Sequence, residues 1–391
     1  MRGRRMRGRT PRVRRQAAAS HGTYAALVLA TVGALLAGLG VWWIARTDAA
    51  GREDDAGPSG RGHGLPGNAA SGALPEGPCA PTEELEPRCG AWWGAYVPYA
   101  PGGSLTEAVY AFEKKIGRRL DLVYNYHDMS DTPLDGELLT ADEQELGRDR
   151  LLMLAWESTV WTEPHHAGWT ETQLGWKNIA SGRYDRDVID PQARRIKAYG
   201  KRLFLSFDQE ADFRIKEGAG TPEEFVAAYR HIHDRFEELG VTNVVWVWTV
   251  SGYLGHAEQM ERLYPGDEYV DWIGMDQYNY YLCHKSPNWL DFDRSQRPSY
   301  DWLREHISGG KPVMLAEFAT APDPLQPRRQ RDWYARIPET APTMPRVRAL
   351  VQWNRPVPGA GCDLTVNTGP GLEGYREAGR AAYFRQPVPG R

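Results

Sequence analysis

From Ala91 onward the chain repeats one unit: a short apolar run, a polar exit, then a stretch with helical periodicity. Runs that are apolar at nearly every position read as strands buried on both faces, while helices keep a polar stripe. The pattern predicts strands at 93–98, 119–126, 150–156, 202–208, 243–249, 270–276, 312–318 and 347–353. Between them lie helix patterns such as 222–239, with Thr221 as N-cap, Pro222 at the first helical position and Gly240 after the last. Eight alternating strand–helix units in about 300 residues predict an α/β fold, the TIM (β/α)8 barrel, whose chemistry sits at the C-terminal ends of its strands.

Two of these exits stand out. LFLSFDQEAD (203–212) leaves the fourth strand and delivers Glu210, and KPVMLAEFAT (311–320) leaves the seventh and delivers Glu317. Two carboxylates, each at a strand exit, suit acid–base work on a glycosidic bond, one protonating the leaving oxygen and the other attacking the anomeric carbon. In a retaining enzyme their carboxyl groups stand about 5–5.5 Å apart. Gln209 and Asp212 flank Glu210 and join the candidate binding residues, while Asp208 is assigned a structural role. Trp156, at the exit of the third strand, and His127, at the exit of the second, are assigned to the cleft. Phe207, Phe213 and Trp246 are expected around Glu210.

The chain has a net charge of −4, neither globally acidic nor basic, so nothing in the overall charge points to nucleic acid. Its 15 Trp and 19 Tyr offer flat apolar faces with a polar edge, which suits stacking on sugar rings as well as filling a large core. His231 and His233 are two apart on a helix and point about 200° from each other, so they cannot share a metal. No metal site and no cofactor are expected.

The N-terminus is different. Eight Arg fall within the first 15 residues, followed by an uncharged apolar run from Tyr24 to Ala45 ending near Trp42 and Trp43. That is about the length that crosses ~30 Å of hydrocarbon as a helix, with arginines marking the cytoplasmic side. The expected organisation is a basic cytoplasmic segment at 1–22, a transmembrane signal-anchor helix at 23–45, a disordered linker at 46–78 and a catalytic barrel at 79–386. A cleaved signal peptide is the competing reading, but its apolar core is shorter and Asp48 spoils the Asp48-Ala49-Ala50 site. The linker is rich in Gly, Ala, Pro, Asp and Ser and has little to bury. The anchor reading places the barrel outside the cell at a single-pass membrane position, where a Cys79–Cys89 bridge is the default. A second bridge between Cys283 and Cys362 is left open, because spacing does not fix connectivity.

The stretches GRYD (182–185), YRHIHDRF (229–236), TNVVWVW (242–248), YPGDEYVDWIGMDQYN (264–279) and KPVMLAEFA (311–319) resemble glycoside hydrolase family 26, from about Gly94 to Asn354. That family holds retaining endo-β-mannanases, β-1,3-xylanases and lichenases on a TIM barrel. The resemblance implies that Glu210 is the general acid/base, Glu317 the nucleophile, Tyr278 a hydrogen-bond donor to the nucleophile and Trp353 the platform under the sugar. The chain departs from the family pattern where His-Glu-x-Asn and a Trp-rich loop are expected, reading Gln209-Glu210-Ala211-Asp212 and then FRIKEGAG. The departure bears on substrate choice, with Phe213 the nearest aromatic at the leaving-group side. The implied function is that of a monomeric, membrane-tethered retaining hydrolase of a β-linked polysaccharide, a mannan, β-glucan or β-xylan. The alternative is an inactive barrel that binds glycan at the cell surface.

Overall fold

The computed structural model describes residues 79–130, 136–162, 171–283, 286–357 and 362–389. The expected anchor and linker lie outside these residues. Among the described residues no helix is long and apolar enough to cross a membrane. In chain order the strands are β1 (Trp92–Tyr96), β2 (Leu122–Asp128), β3 (Leu151–Glu157), β4 (Thr159–Trp161), β5 (Glu171–Gln173), β6 (Leu203–Phe207), β7 (Val244–Val250), β8 (Trp272–Asn279), β9 (Val313–Thr320), β10 (Val347–Trp353), β11 (Pro356–Val357) and β12 (Cys362–Asp363). Eight of them close into a parallel barrel in the order β1-β10-β9-β8-β7-β6-β3-β2. The fold is therefore α/β and TIM-like. Two small antiparallel pairs, β4 with β5 and β11 with β12, decorate the exits of β3 and β10.

Alternation along each strand sorts the side chains into two cores. Leu122 and Tyr124, Leu151, Met153 and Ala155, Val245 and Val247, and Ala349 and Val351 fill the barrel interior. Val123, Leu152, Leu154 and Trp156, Trp246 and Trp248, and Leu350 face the surrounding helices. The helix Pro222–Glu238 follows its sequence signals closely: the Thr221 hydroxyl accepts from the Glu224 amide, and the Glu224 carboxylate accepts from the Thr221 amide. Its apolar stripe, Phe225, Ala228, Tyr229, Ile232 and Phe236, packs on the outer face of β6 and β7.

The floor of the barrel is closed from outside the repeat. The Trp92 indole donates to the Leu85 carbonyl at 2.7 Å, and the Trp272 indole donates to the Glu84 carbonyl at 2.7 Å. The segment holding those carbonyls is stapled by the Cys79–Cys89 disulfide, Cα–Cα 5.2 Å. The open question about the second pair is also resolved: Cys283 and Cys362 are bridged, Cα–Cα 5.5 Å. That bond ties the loop after β8 to the hairpin after β10, and both frame the mouth of the barrel.

Candidate active site

Alternation decides which residues reach the mouth. On β3 the interior series Leu151, Met153, Ala155 continues to Glu157, so Trp156 faces outward. The expectation for Trp156 is corrected accordingly: its ring is fully buried against Phe236, and its indole donates to the Asp128 carbonyl at 3.1 Å. On β2 the series Leu122, Tyr124 continues to Tyr126, which turns His127 away from the cleft. His127 is instead buried against Glu143, Nε2 to Oε1 2.7 Å, on the helix Ala141–Leu146. Trp353 and Tyr278 lie on the interior phase of β10 and β8.

β9 reaches the same face by an irregularity. Met275 of β8 pairs with Leu315 but the next residue, Asp276, pairs with Glu317, and a matching shift occurs against β10. Regular alternation would leave Glu317 on the outward face with Val313 and Leu315. The bulge at Ala316 turns it inward.

At β6 regular strand geometry stops after Phe207. Asp208 and Glu210 both adopt left-handed backbone, φ 50° and 53°. The Asp208 amide donates to the Trp156 carbonyl at 3.0 Å and the Glu210 amide to the Thr249 carbonyl at 3.1 Å, so the turn is pinned to β3 on one side and β7 on the other. Left-handed conformations in non-glycine residues are disfavoured and mark places where the surroundings dictate the backbone. The outcome is that Gln209 and Glu210 both face the cleft while Asp208 turns beneath it.

The cleft, about 400 Å³, is lined by Gln209, Glu210, Tyr278, Glu317 and Trp353 from the sequence expectations, and by Tyr96, Tyr126, Glu157, Arg214 and Arg355, which those expectations missed. A wider groove of about 770 Å³ runs along the flank past Leu105, Glu145, Arg148 and Lys201, but none of the candidate residues line it. Asp212 does not line the cleft, which corrects its assignment to substrate. Its fully buried carboxylate accepts from the Ser251 amide (3.1 Å) and hydroxyl (2.5 Å) and meets His256 Nδ1 at 2.9 Å. Phe207 and Trp246 face the helices, leaving Phe213 as the one expected neighbour of Glu210 that lines the cleft.

Electrostatics separate the two acids. Burial first, then the negative charges of Glu317 and Asp212, push the pKa of Glu210 well above the usual carboxylate range. Glu317 is mostly buried and accepts from two phenols, Tyr126 to Oε1 at 2.5 Å and Tyr278 to Oε2. Beneath them Asp276 is raised well above its normal value by burial and then by Glu317 and Glu210. Next to Gln209, Arg214 pairs with Glu157, Glu171 and Asp208, each at 3.0 Å. Glu157 also accepts from Gln209 Nε2 and from the Trp161 indole at 2.9 Å. Donation to Glu157 fixes the Gln209 amide, so that its nitrogen faces the acid and its oxygen stays an acceptor.

The cleft at the strand exits thus joins a carboxyl whose pKa is raised by burial and a carboxyl that accepts from two phenols. The sequence profile of glycosyl hydrolase family 26 matches residues 214–292. Over that stretch the barrel is similar to family 26 glycosidases. The profile match spans β7, β8 and Tyr278 but neither acid. Among relatives, Endoglucanase H of Acetivibrio thermocellus is 32% identical over 244 residues, 58% of this chain and 24% of that protein. Beta-1,3-xylanase TXYA of a Vibrio species is 31% identical over 143 residues, 36% of this chain and 28% of that protein. The chain thus spans about a quarter of the length of the curated relatives it matches. The barrel fold also recurs in solved structures: a ruminal GH26 endo-beta-1,4-mannanase (16% identity, 75% of this chain and 64% of that one, TM-score 0.53) and the GH26 domain of a Prevotella bryantii endo-beta-mannanase/endo-beta-glucanase (15%, 75% and 90%, 0.51).

Proposed function

We propose that this protein is a retaining glycoside hydrolase that cleaves a β-linked polysaccharide, a mannan, β-glucan or β-xylan, by double displacement. Glu210 protonates the leaving oxygen and later deprotonates water, and Glu317 attacks the anomeric carbon. The observation that carries the reading is the contrast between the two acids in one cleft: Glu210 is driven toward its protonated form, while Glu317 receives a donor on each oxygen. Trp353, on the wall beside Tyr96, serves as the apolar platform for the sugar, and Gln209 as a hydroxyl partner. The apolar run Tyr24–Ala45 behind its arginine cluster supports an anchored protein with the barrel outside the cell.

Product stereochemistry tests the roles. With a dinitrophenyl glycoside, whose leaving group needs no proton, Glu317→Ala is expected to lose turnover and to be rescued by azide with inversion at the anomeric carbon. Glu210→Ala is expected to form the covalent intermediate and yield an azide product of retained configuration. The opposite pattern would exchange the roles, and undiminished activity in either variant would refute the pair.

A further inference from the structure

The clamp on Glu317 comes from two sides of the barrel. Tyr278 belongs to β8, the strand hydrogen-bonded to β9, and donates to Oε2. Tyr126 reaches across from β2 and donates to Oε1 at 2.5 Å. Its ring is fixed by Tyr124, centroids 4.5 Å apart, and by Tyr96 at 4.8 Å, and Tyr96 lies 6.1 Å from Trp353. Tyr126 is the more exposed of the two phenols, and both line the cleft. Burial, followed by the charge of Glu317, holds both phenols well above the ordinary tyrosine pKa, and both therefore act as donors at neutral pH.

A carboxylate that attacks an anomeric carbon commits one oxygen to the new bond and leaves the other as the ester carbonyl. With a phenol on each oxygen, the hydrogen bond to the attacking one weakens as its charge passes into the new bond. Building on the double displacement proposed above, we propose that Tyr126 is a catalytic residue of the second step: it is displaced from Oε1 as that oxygen bonds to the sugar, and it donates to Oε1 again as the glycosyl ester breaks. In the first step a lone pair of Oε1 forms the bond to C1, the bond from C1 to the leaving oxygen breaks, and that oxygen takes the proton of Glu210. In the second, Glu210 removes a proton from water, the water oxygen bonds to C1, and the C1–Oε1 electron pair returns to Oε1. Tyr126 keeps its own proton throughout, and Tyr278 stays on Oε2 in both steps.

This order of events gives the two tyrosines different kinetic signatures. A hydrogen bond present before attack and lost during it stabilises the starting carboxylate, so removing it does not raise the first barrier once Glu317 is ionised. The same bond re-forming on the departing oxygen lowers the second barrier, and its removal slows that step alone. The substitution Tyr126→Phe keeps the ring in its stack.

The test uses the full chain, wild type, Tyr126→Phe and Tyr278→Phe, with 2,4-dinitrophenyl β-cellobioside and β-mannobioside. For Tyr126→Phe the expected result is a burst of dinitrophenolate, accumulation of glycosyl-enzyme by intact mass, and kcat lower by about 10- to 100-fold. Its kcat/KM at neutral pH should change by less than about threefold. The acid limb of its kcat/KM profile should move to higher pH, because the nucleophile has lost a donor. Tyr278→Phe should lower kcat and kcat/KM together without a burst. Absence of the burst, an unmoved acid limb, or equal falls in kcat and kcat/KM for Tyr126→Phe would overturn the assignment. The 2-fluoro analogues of the same glycosides separate the two levels. Wild type labelled on Glu317 beside an unaltered Tyr126→Phe sinks the role of Tyr126 alone, whereas an unlabelled, inactive wild type sinks the double displacement and this role with it.

Discussion

Glu210 is held where an isolated carboxylate would not stay. Its backbone is left-handed, and its burial and the nearby charges of Glu317 and Asp212 act against the ionised form of its carboxyl. Because its folded pKa lies above the unfolded value, the folded state keeps a proton that the unfolded state releases. The contribution to stability is thus most favourable below the unfolded pKa and is lost as pH rises toward the folded one. Glu210→Gln removes the titration while keeping the shape. Its melting temperature is expected to match wild type near pH 4 and to exceed it near pH 8 by roughly 2 °C, about 1 kcal/mol, as calorimetry at the two pH values would show. A variant less stable than wild type at pH 8 would mean that the carboxylate, not the carboxylic acid, is the form the fold prefers.

At the level of elements, a second expectation concerns Arg214, on the short helix Ala211–Arg214 that follows the Glu210 turn. Burial works against its charge, but Glu157, Asp208 and Glu171 outweigh that and keep it firmly protonated. Arg214→Leu leaves three carboxylates facing one another, two of them buried, with no counter-charge between them. A loss of about 3–5 kcal/mol in denaturant unfolding is expected, along with a weakened Gln209 position. These same elements show what the sequence could convey. The eight strands were legible in order, because runs such as VVWVWTV are apolar on both faces, and their ends fell within a few residues of the structure. That same two-faced apolarity hides the phase of alternation. RLLMLAW reads equally well with Trp156 or Glu157 inside, and DLVYNYHD with Tyr126 or His127 inside, and in both pairs the other residue proved to face the cleft. The Ala316 bulge and the paired left-handed residues around Gln209 carry no glycine or proline to announce them. Phase, bulge and turn are set by neighbouring strands, so only the assembled barrel specifies them.

For the whole molecule, the proposed anchor makes a plain demand: the protein should remain in the membrane fraction after alkaline carbonate extraction. Recovery instead of a soluble fragment beginning near Gly51 would replace the anchor with a cleaved leader. The way the barrel closes matters to such a protein during synthesis. β1 finds its partner in β10, with Trp92 opposite Ala349 and Tyr96 opposite Trp353, so one edge made early must wait for the other made last. Until then the interior indole of Trp92 and the rings of Tyr96, Tyr124 and Tyr126 belong to an open, curling sheet with two unpaired edges. If the chain is exported from its N-terminus, the half-made barrel emerges with those edges bare, and an anchor of the kind proposed would keep neighbouring copies close by. The Cys79–Cys89 staple lies ahead of β1 and can form long before closure, giving the first strand a folded shoulder to rest against while the remaining strands arrive.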